Sequence, residues 1–251
     1  MAEKASTSPI SRDIASISLS HTAQRVIAEG VGTFCLVFAG AGAVMVNAKS
    51  NGALTLVGIG IVFGLIIMTM IYAIGHVSGA HINPAITIAF AVARYVPMRL
   101  AGYYIIAQLV GSTLAALLLR AIFGNIASVG ATLPSGSDWD ALILEIVITF
   151  ILMFVVMAVA TDTKAVGGSA AIAIGGAIAL GVILAGPISG GSMNPARSLG
   201  PAIAAWDWTA QWIYIIGPIV GAVLGALAYV LIRQEYAGPI AYPEVDRRQN
   251  R

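Results

Sequence analysis

The chain has 251 residues, of which 59% are hydrophobic and 10% charged, with a net charge of +2 and one cysteine. A soluble domain carries about a quarter charged residues, so water is not the main solvent of this protein. The small, scattered charge excludes a nucleic-acid surface, and one cysteine excludes an internal disulfide.

Residues 1–21 are polar and Ser-rich, with no apolar run ahead of a small-residue cleavage site, and read as a tail rather than a cleaved signal peptide. Six apolar runs follow, at Thr22–Asn47, Leu54–Ile74, Leu100–Phe123, Asp140–Thr161, Val166–Gly186 and Gln211–Arg233. Each is long enough, at about 1.5 Å per residue, to cross a hydrocarbon core of about 30 Å. They read as helices, since lipid cannot satisfy an open sheet edge. The single cysteine, Cys35, falls inside the first of them and reads as a packed thiol. Two shorter apolar segments, Asn83–Ala93 and Asn194–Ala205, span only half a membrane. The fold class is therefore an all-α membrane protein in one domain, 22–233, with a polar tail over 234–251.

Lys4, Arg12, Arg25, Arg94, Arg99, Lys164, Arg233, Arg247, Arg248 and Arg251 fall on one side of this topology, and only Lys49 and Arg120 on the other. The positive-inside rule makes both termini cytoplasmic. Trp206, Trp208 and Trp212, near a predicted membrane edge, read as interfacial anchors.

The chain also repeats itself. At an offset of 111, Gly75, Ser78, Gly79, Asn83, Pro84 and Ala85 recur as Gly186, Ser189, Gly190, Asn194, Pro195 and Ala196. At 110, Tyr104-Ile105-Ile106 recurs as Tyr214-Ile215-Ile216, and at 116, Glu29, Thr33 and Phe34 recur as Glu145, Thr149 and Phe150. Repeat one covers about 22–123 and repeat two about 140–233. Three spans per copy force the second copy to enter from the opposite face, so the repeats are inverted. The two half-length segments then enter from opposite sides and meet near the midplane.

Asparagine is a favoured N-cap and proline a favoured first helical residue, so each Asn-Pro-Ala starts a helix. The irregular backbone ahead of each, Gly75–Ile82 and Gly186–Met193, is tolerated at membrane depth only where it is buried in protein or lines a watery path. Its carbonyls would act as acceptors and the asparagine amides as donors. Two half-helix N-termini aimed at one spot oppose cations and protons there. Arg197, three residues after Asn194, shares its helix face.

SGAHINPA with SGGSMNPARS, in a six-plus-two arrangement, resembles the aquaporin or major intrinsic protein family over nearly the whole chain. The resemblance implies a passive channel with Asn83, Pro84, Ala85, Asn194, Pro195 and Ala196 in the pore. It implies a selectivity constriction of Phe63, Val182, Gly191 and Arg197, wider and more apolar than the histidine-bearing ring of water-selective members. It also implies that Glu29 and Glu145 brace the re-entrant loops. His76 and His81 flank the first loop, and with no third ligand nearby they read as structural hydrogen bonders, His76 as loop support, rather than a metal site.

Ser198 and Ala202 are similar to water channels, whereas Phe123, Tyr214 and Ile215 are similar to nodulin-like intrinsic proteins, which pass glycerol and metalloid acids. The expectation is a channel for water and small uncharged solutes, excluding ions, without cofactor or catalytic residues, in the plasma or inner membrane. By family resemblance it assembles as a homotetramer. A strictly water-selective channel is one alternative. An ion-coupled transporter is another, since broken helices in inverted repeats also serve transporters. A structural membrane protein with an incidental pore is the third.

Overall fold

The computed structural model describes residues 19–161 and 169–234. The charges at Lys4, Arg12, Lys164, Arg247, Arg248 and Arg251, and most of both tails, lie outside the described residues. The rest of the chain forms helices α1 (His21–Lys49), α2 (Thr55–Ser78), α3 (Pro84–Val92), α4 (Met98–Phe123), α5 (Asp138–Thr161), α6 (Ala170–Ser189), α7 (Pro195–Ala205) and α8 (Ile213–Gln234). Six of them are long and apolar enough to cross a membrane, and α3 and α7 are the half-length pair. Between α4 and α5 the chain makes a short turn, Ala127–Gly130, in which all four residues have positive φ.

Local chemistry starts and stops these helices. Ser20 caps α1 by accepting from the Ala23 amide at 3.2 Å, as expected of an N-cap hydroxyl. Asn47 closes the next turn by accepting from the Leu54 and Thr55 amides at 3.1 and 2.9 Å. Helices α2 and α6 run further than the sequence suggests. Neither breaks at Gly75 or Gly186: each continues to a serine, Ser78 or Ser189, and ends on a left-handed glycine, Gly79 (φ 91°) or Gly190 (φ 83°). A glycine here ends the helix without a Cβ clash. Pro187 sits inside the last turn of α6 and does not stop it.

The packing repeats with the sequence. Helix α1 lies against α4 as α5 lies against α8, and α1 against α2 as α5 against α6. Helices α2 and α6 pack on each other across the pseudo-twofold. The half-helices are exchanged: α7 seats on α4 and α3 on α8, each on the last helix of the other repeat. Lipid offers no hydrophobic drive for helix association, so close approach must supply van der Waals contact. Accordingly, a Cβ on Gly64 would lie 2.6 Å from the Gly175 carbonyl oxygen, and one on Gly225 2.6 Å from that of Phe150.

Candidate functional site: a pore at the meeting of two half-helices

Each re-entrant turn is strained in the same places. Ala80 and Gly191 stand at φ 48° and 59°, and Ile82 and Met193 at 53° and 54°. A β-branched or bulky residue at positive φ is a genuine outlier, costing on the order of 1–3 kcal/mol and persisting only where its surroundings dictate it. A buried glutamate dictates it in each repeat. Glu29 Oε1 accepts from the Ser78 hydroxyl (2.6 Å) and His81 amide (2.9 Å), and its Oε2 from the Ile82 amide (2.6 Å) and Gln108 Nε2 (2.8 Å). Glu145 Oε1 accepts from the Ser189 hydroxyl (2.7 Å) and Ser192 amide (2.8 Å), and Oε2 from the Met193 amide (2.8 Å). Both glutamates are fully buried.

The strained residues turn their carbonyls across the pseudo-twofold. Asn83 Nδ2 donates to Met193 O at 2.7 Å, and Asn194 Nδ2 to Ile82 O at 2.9 Å. Meanwhile Asn83 Oδ1 caps α3 through the Ala85 amide (2.8 Å), and Asn194 Oδ1 caps α7 through Ala196 (2.9 Å) and Arg197 (3.3 Å). Pro84 and Pro195 open the two helices, and Ala85 and Ala196 are fully buried behind them. A primary amide has two N–H donors, so each asparagine keeps one for a passing molecule.

The carbonyls at the two ends of each turn are occupied. Ser78 O accepts from the Tyr104 hydroxyl (2.8 Å) and Ser189 O from Tyr214 (2.7 Å). Among the described residues, those of Gly79, Ala80 and His81, and of Gly190, Gly191 and Ser192, remain unengaged. Past the ends of α2 and α6 the row of unengaged acceptors is three carbonyls long in each loop, Gly79–His81 and Gly190–Ser192.

Where Asn83 and Asn194 meet, Phe63, Val182, Met193 and Arg197 help to wall a space of about 20 Å³. That is room for about one water. The Arg197 side chain is 3% exposed; its Nη1 donates to Gly130 O at 2.8 Å, and its guanidinium carbon lies 4.9 Å from the Phe63 ring centroid. Arg197 Nε is buried without a protein partner. Gly191 does not widen this space. A Cβ there would fall 2.9 Å from Val182 Cα, so Gly191 lets the turn lie against α6 and does not itself wall the constriction.

The family model described as Major intrinsic protein matches residues 16–229. The chain belongs to the major intrinsic protein family. Aquaporin NIP1-1 of Zea mays is 52% identical over 211 residues, covering 84% of this chain and 75% of that protein. Aquaporin NIP1-1 of Oryza sativa subsp. japonica is 54% identical over 84% of this chain and 74% of its own length. Aquaporin NIP2-3 of Zea mays is 47% identical over 95% of this chain and 79% of its own. The aquaglyceroporin of Plasmodium falciparum shares the fold, with a TM-score of 0.76 at 24% identity over 83% of this chain and 95% of that one. As a member of the major intrinsic protein family, this chain is a membrane channel and not an enzyme.

On the face where α1 begins and α8 ends, this family member has a vestibule of about 580 Å³ among the described residues. His76 lines it and is exposed, and its side chain makes no hydrogen bond to the loop among the described residues. The braced histidine is His81, whose Nδ1 lies 3.1 Å from Thr87 Oγ1 and whose ring stacks on Phe90 at 4.8 Å. His76 lies on the last turn of α2, not in the irregular backbone expected over Gly75–Ile82.

Several site residues carry no motif. Gln108 links Glu29 to Thr87 in repeat one. In repeat two the corresponding position is Pro218, and a hydroxyl chain stands in: Thr132 Oγ1 to Ser198 (2.7 Å), Ser198 to Ser192, and Ser192 to Asn194 O (2.9 Å). Tyr104 and Tyr214 were visible as repeated positions, and that recurrence was the available signal. Gly130 carried none.

Proposed function

We propose that the chain conducts water and small uncharged solutes, glycerol and metalloid acids among them, in single file through one lumen while excluding protons and other ions. The observation that carries this reading is the reciprocal Asn83–Met193 and Asn194–Ile82 hydrogen bonding, which leaves one free N–H per asparagine beside a space of about 20 Å³. Two half-helix N-termini and the Arg197 guanidinium face the same stretch, so a cation meets positive potential with no carboxylate of the described residues lining that space to offset it. Phe63, Val182 and Arg197 are the walls of the constriction, Gly191 its backing, and Glu29 and Glu145 the loop braces.

Water passes by exchanging hydrogen bonds with the free asparagine N–H groups and the unengaged carbonyls, so its hydration is replaced step by step. The names of the NIP relatives and of the aquaglyceroporin support solutes beyond water. The space of about 20 Å³ favours a second reading, a strictly water-selective channel. Stopped-flow shrinkage of proteoliposomes tests conduction, and re-swelling in glycerol or boric acid separates the two readings. Unchanged osmotic permeability with verified insertion refutes both.

Arg25, Arg94, Arg99 and Arg233 lie at the ends of spans on one face, with Lys49 and Arg120 on the other. This bias supports cytoplasmic termini, in a plasma or inner membrane. A homotetramer, one pore per subunit, follows from the family resemblance and is tested by chemical cross-linking in liposomes.

A further inference from the structure

We propose that Gly40 is a positioning residue for solute selection: by lacking a side chain it lets the Phe63 ring seat back against α1, and so it sets the bore of the constriction. This rests on the reading of Phe63 as a constriction wall. Gly40 lies in the middle of α1 and is buried. Alanine would suit a helix interior better by about 1 kcal/mol on propensity alone, so the glycine answers some local demand. The demand is the ring. A Cβ at position 40 would fall among its carbons Cε1, Cζ and Cδ1, 2.6 Å from the last and nearer still to the other two.

Carbon pairs settle at about 3.5–4 Å, so the ring edge would have to withdraw by about 1 Å or more. Phe63 is a rigid plane with few ways to yield. Behind it stands α1; in front are the Arg197 guanidinium, 4.9 Å from its centroid, and the open space of about 20 Å³. The room to move is in the lumen, and a displacement of that size consumes space that holds one water. Gly181 makes a useful contrast. Its Cβ would meet Met193 Sδ at 2.5 Å, but that is the end of a flexible thioether, which can swing aside. Gly42, two residues along α1, would meet nothing nearer than Leu119 Cδ2 at 3.2 Å.

The test measures water and glycerol permeability per inserted channel in proteoliposomes. Gly40→Ala is expected to lower water permeability by about tenfold or more, since a factor of ten corresponds to only about 1.4 kcal/mol of barrier, and to bring glycerol uptake to background. Gly42→Ala is expected to match wild type. In the Gly40→Ala/Phe63→Leu double variant the clash is gone, and permeability is expected to return to that of Phe63→Leu alone. Wild-type permeation by Gly40→Ala, while Phe63→Leu alone alters it, overturns the role of Gly40. Unchanged permeation by Phe63→Leu overturns the constriction reading instead. If Gly40→Ala fails to insert, the double variant decides: insertion with Phe63→Leu behaviour supports the proposal, and failure of both overturns it.

Discussion

Glu145→Gln keeps the shape of the brace and removes one acceptor. The carboxylate takes the Ser189 hydroxyl and Ser192 amide on Oε1 and the Met193 amide on Oε2. A glutamine must turn its NH₂ toward one of these groups. The Ser189 hydroxyl can rotate to suit, but a backbone N–H cannot, so either orientation orphans one buried amide. A hydrogen bond to a charged acceptor is worth roughly 1.5–3 kcal/mol, and an orphaned buried donor costs about 1–3 kcal/mol. Removing a buried charge returns part of this, leaving a net loss of about 1.5–3 kcal/mol. At about 1.4 kcal/mol per factor of ten, the ordered turn becomes roughly 10- to 100-fold less populated relative to its relaxed forms. The left-handed Met193, at φ 54°, supplies the recoil, and its relaxation withdraws the carbonyl from Asn83. Osmotic permeability per inserted channel is therefore expected to fall by about tenfold or more. The assay is stopped-flow light scattering on proteoliposomes with channel content measured by quantitative blotting. Wild-type permeability at equal content would refute the bracing role.

Arg197→Ala removes the guanidinium that bonds Gly130 O and covers Phe63; the variant is expected to admit larger solutes and a measurable cation current in planar bilayers, and an unaltered solute profile would contradict this. Gly191→Ala drives a methyl to 2.9 Å from Val182 Cα, an overpacking that costs about 1–3 kcal/mol and is read as a lower melting temperature in detergent. Mercurials are expected to leave permeability unchanged, because Cys35 lies on α1 away from both the constriction and the vestibule; strong inhibition abolished by Cys35→Ser would overturn that. Asp207, in the loop after α7, is held below the ordinary aspartate value of 3.8 by hydrogen bonding from Thr209, side chain first and then backbone, with the Ser128 hydroxyl adding to it. A lowered carboxyl stabilises the fold fully above its unfolded value and loses that contribution as pH falls through the folded one. Asp207→Asn should therefore flatten the acid end of a melting-temperature profile, and an unaltered acid limb would refute the assignment.

Symmetry made much of the site legible. The offset of 111 exposed both Asn-Pro-Ala starts, and the offset of 116 paired Glu29 with Glu145 before any contact was known. What stayed hidden lies where the repeats diverge or where no residue type announces the geometry. The left-handed turn at Ala127–Gly130 is built mostly from residues that rarely adopt positive φ, so composition gives no warning that it delivers a carbonyl to Arg197. Gln108 faces Glu29, but its counterpart is Pro218, so comparison of the halves discards it. Gly191 was read by the side chain it lacks, whereas what governs it is the α6 backbone behind it. The two histidines were told apart by one helical turn, since α2 continues past Gly75 and carries His76 out of the loop.

The exchanged seating of the half-helices has a consequence for biogenesis. As the ribosome delivers the chain, α3 emerges long before α8, the surface it rests on, while α7 finds α4 already in place. The first half-helix is already tied to α1 and α4 through Glu29 and Gln108, but its seat on α8 waits for the synthesis of more than a hundred residues. A nascent chain arrested ahead of Ile213 would therefore leave α3 without one of its two long-helix neighbours.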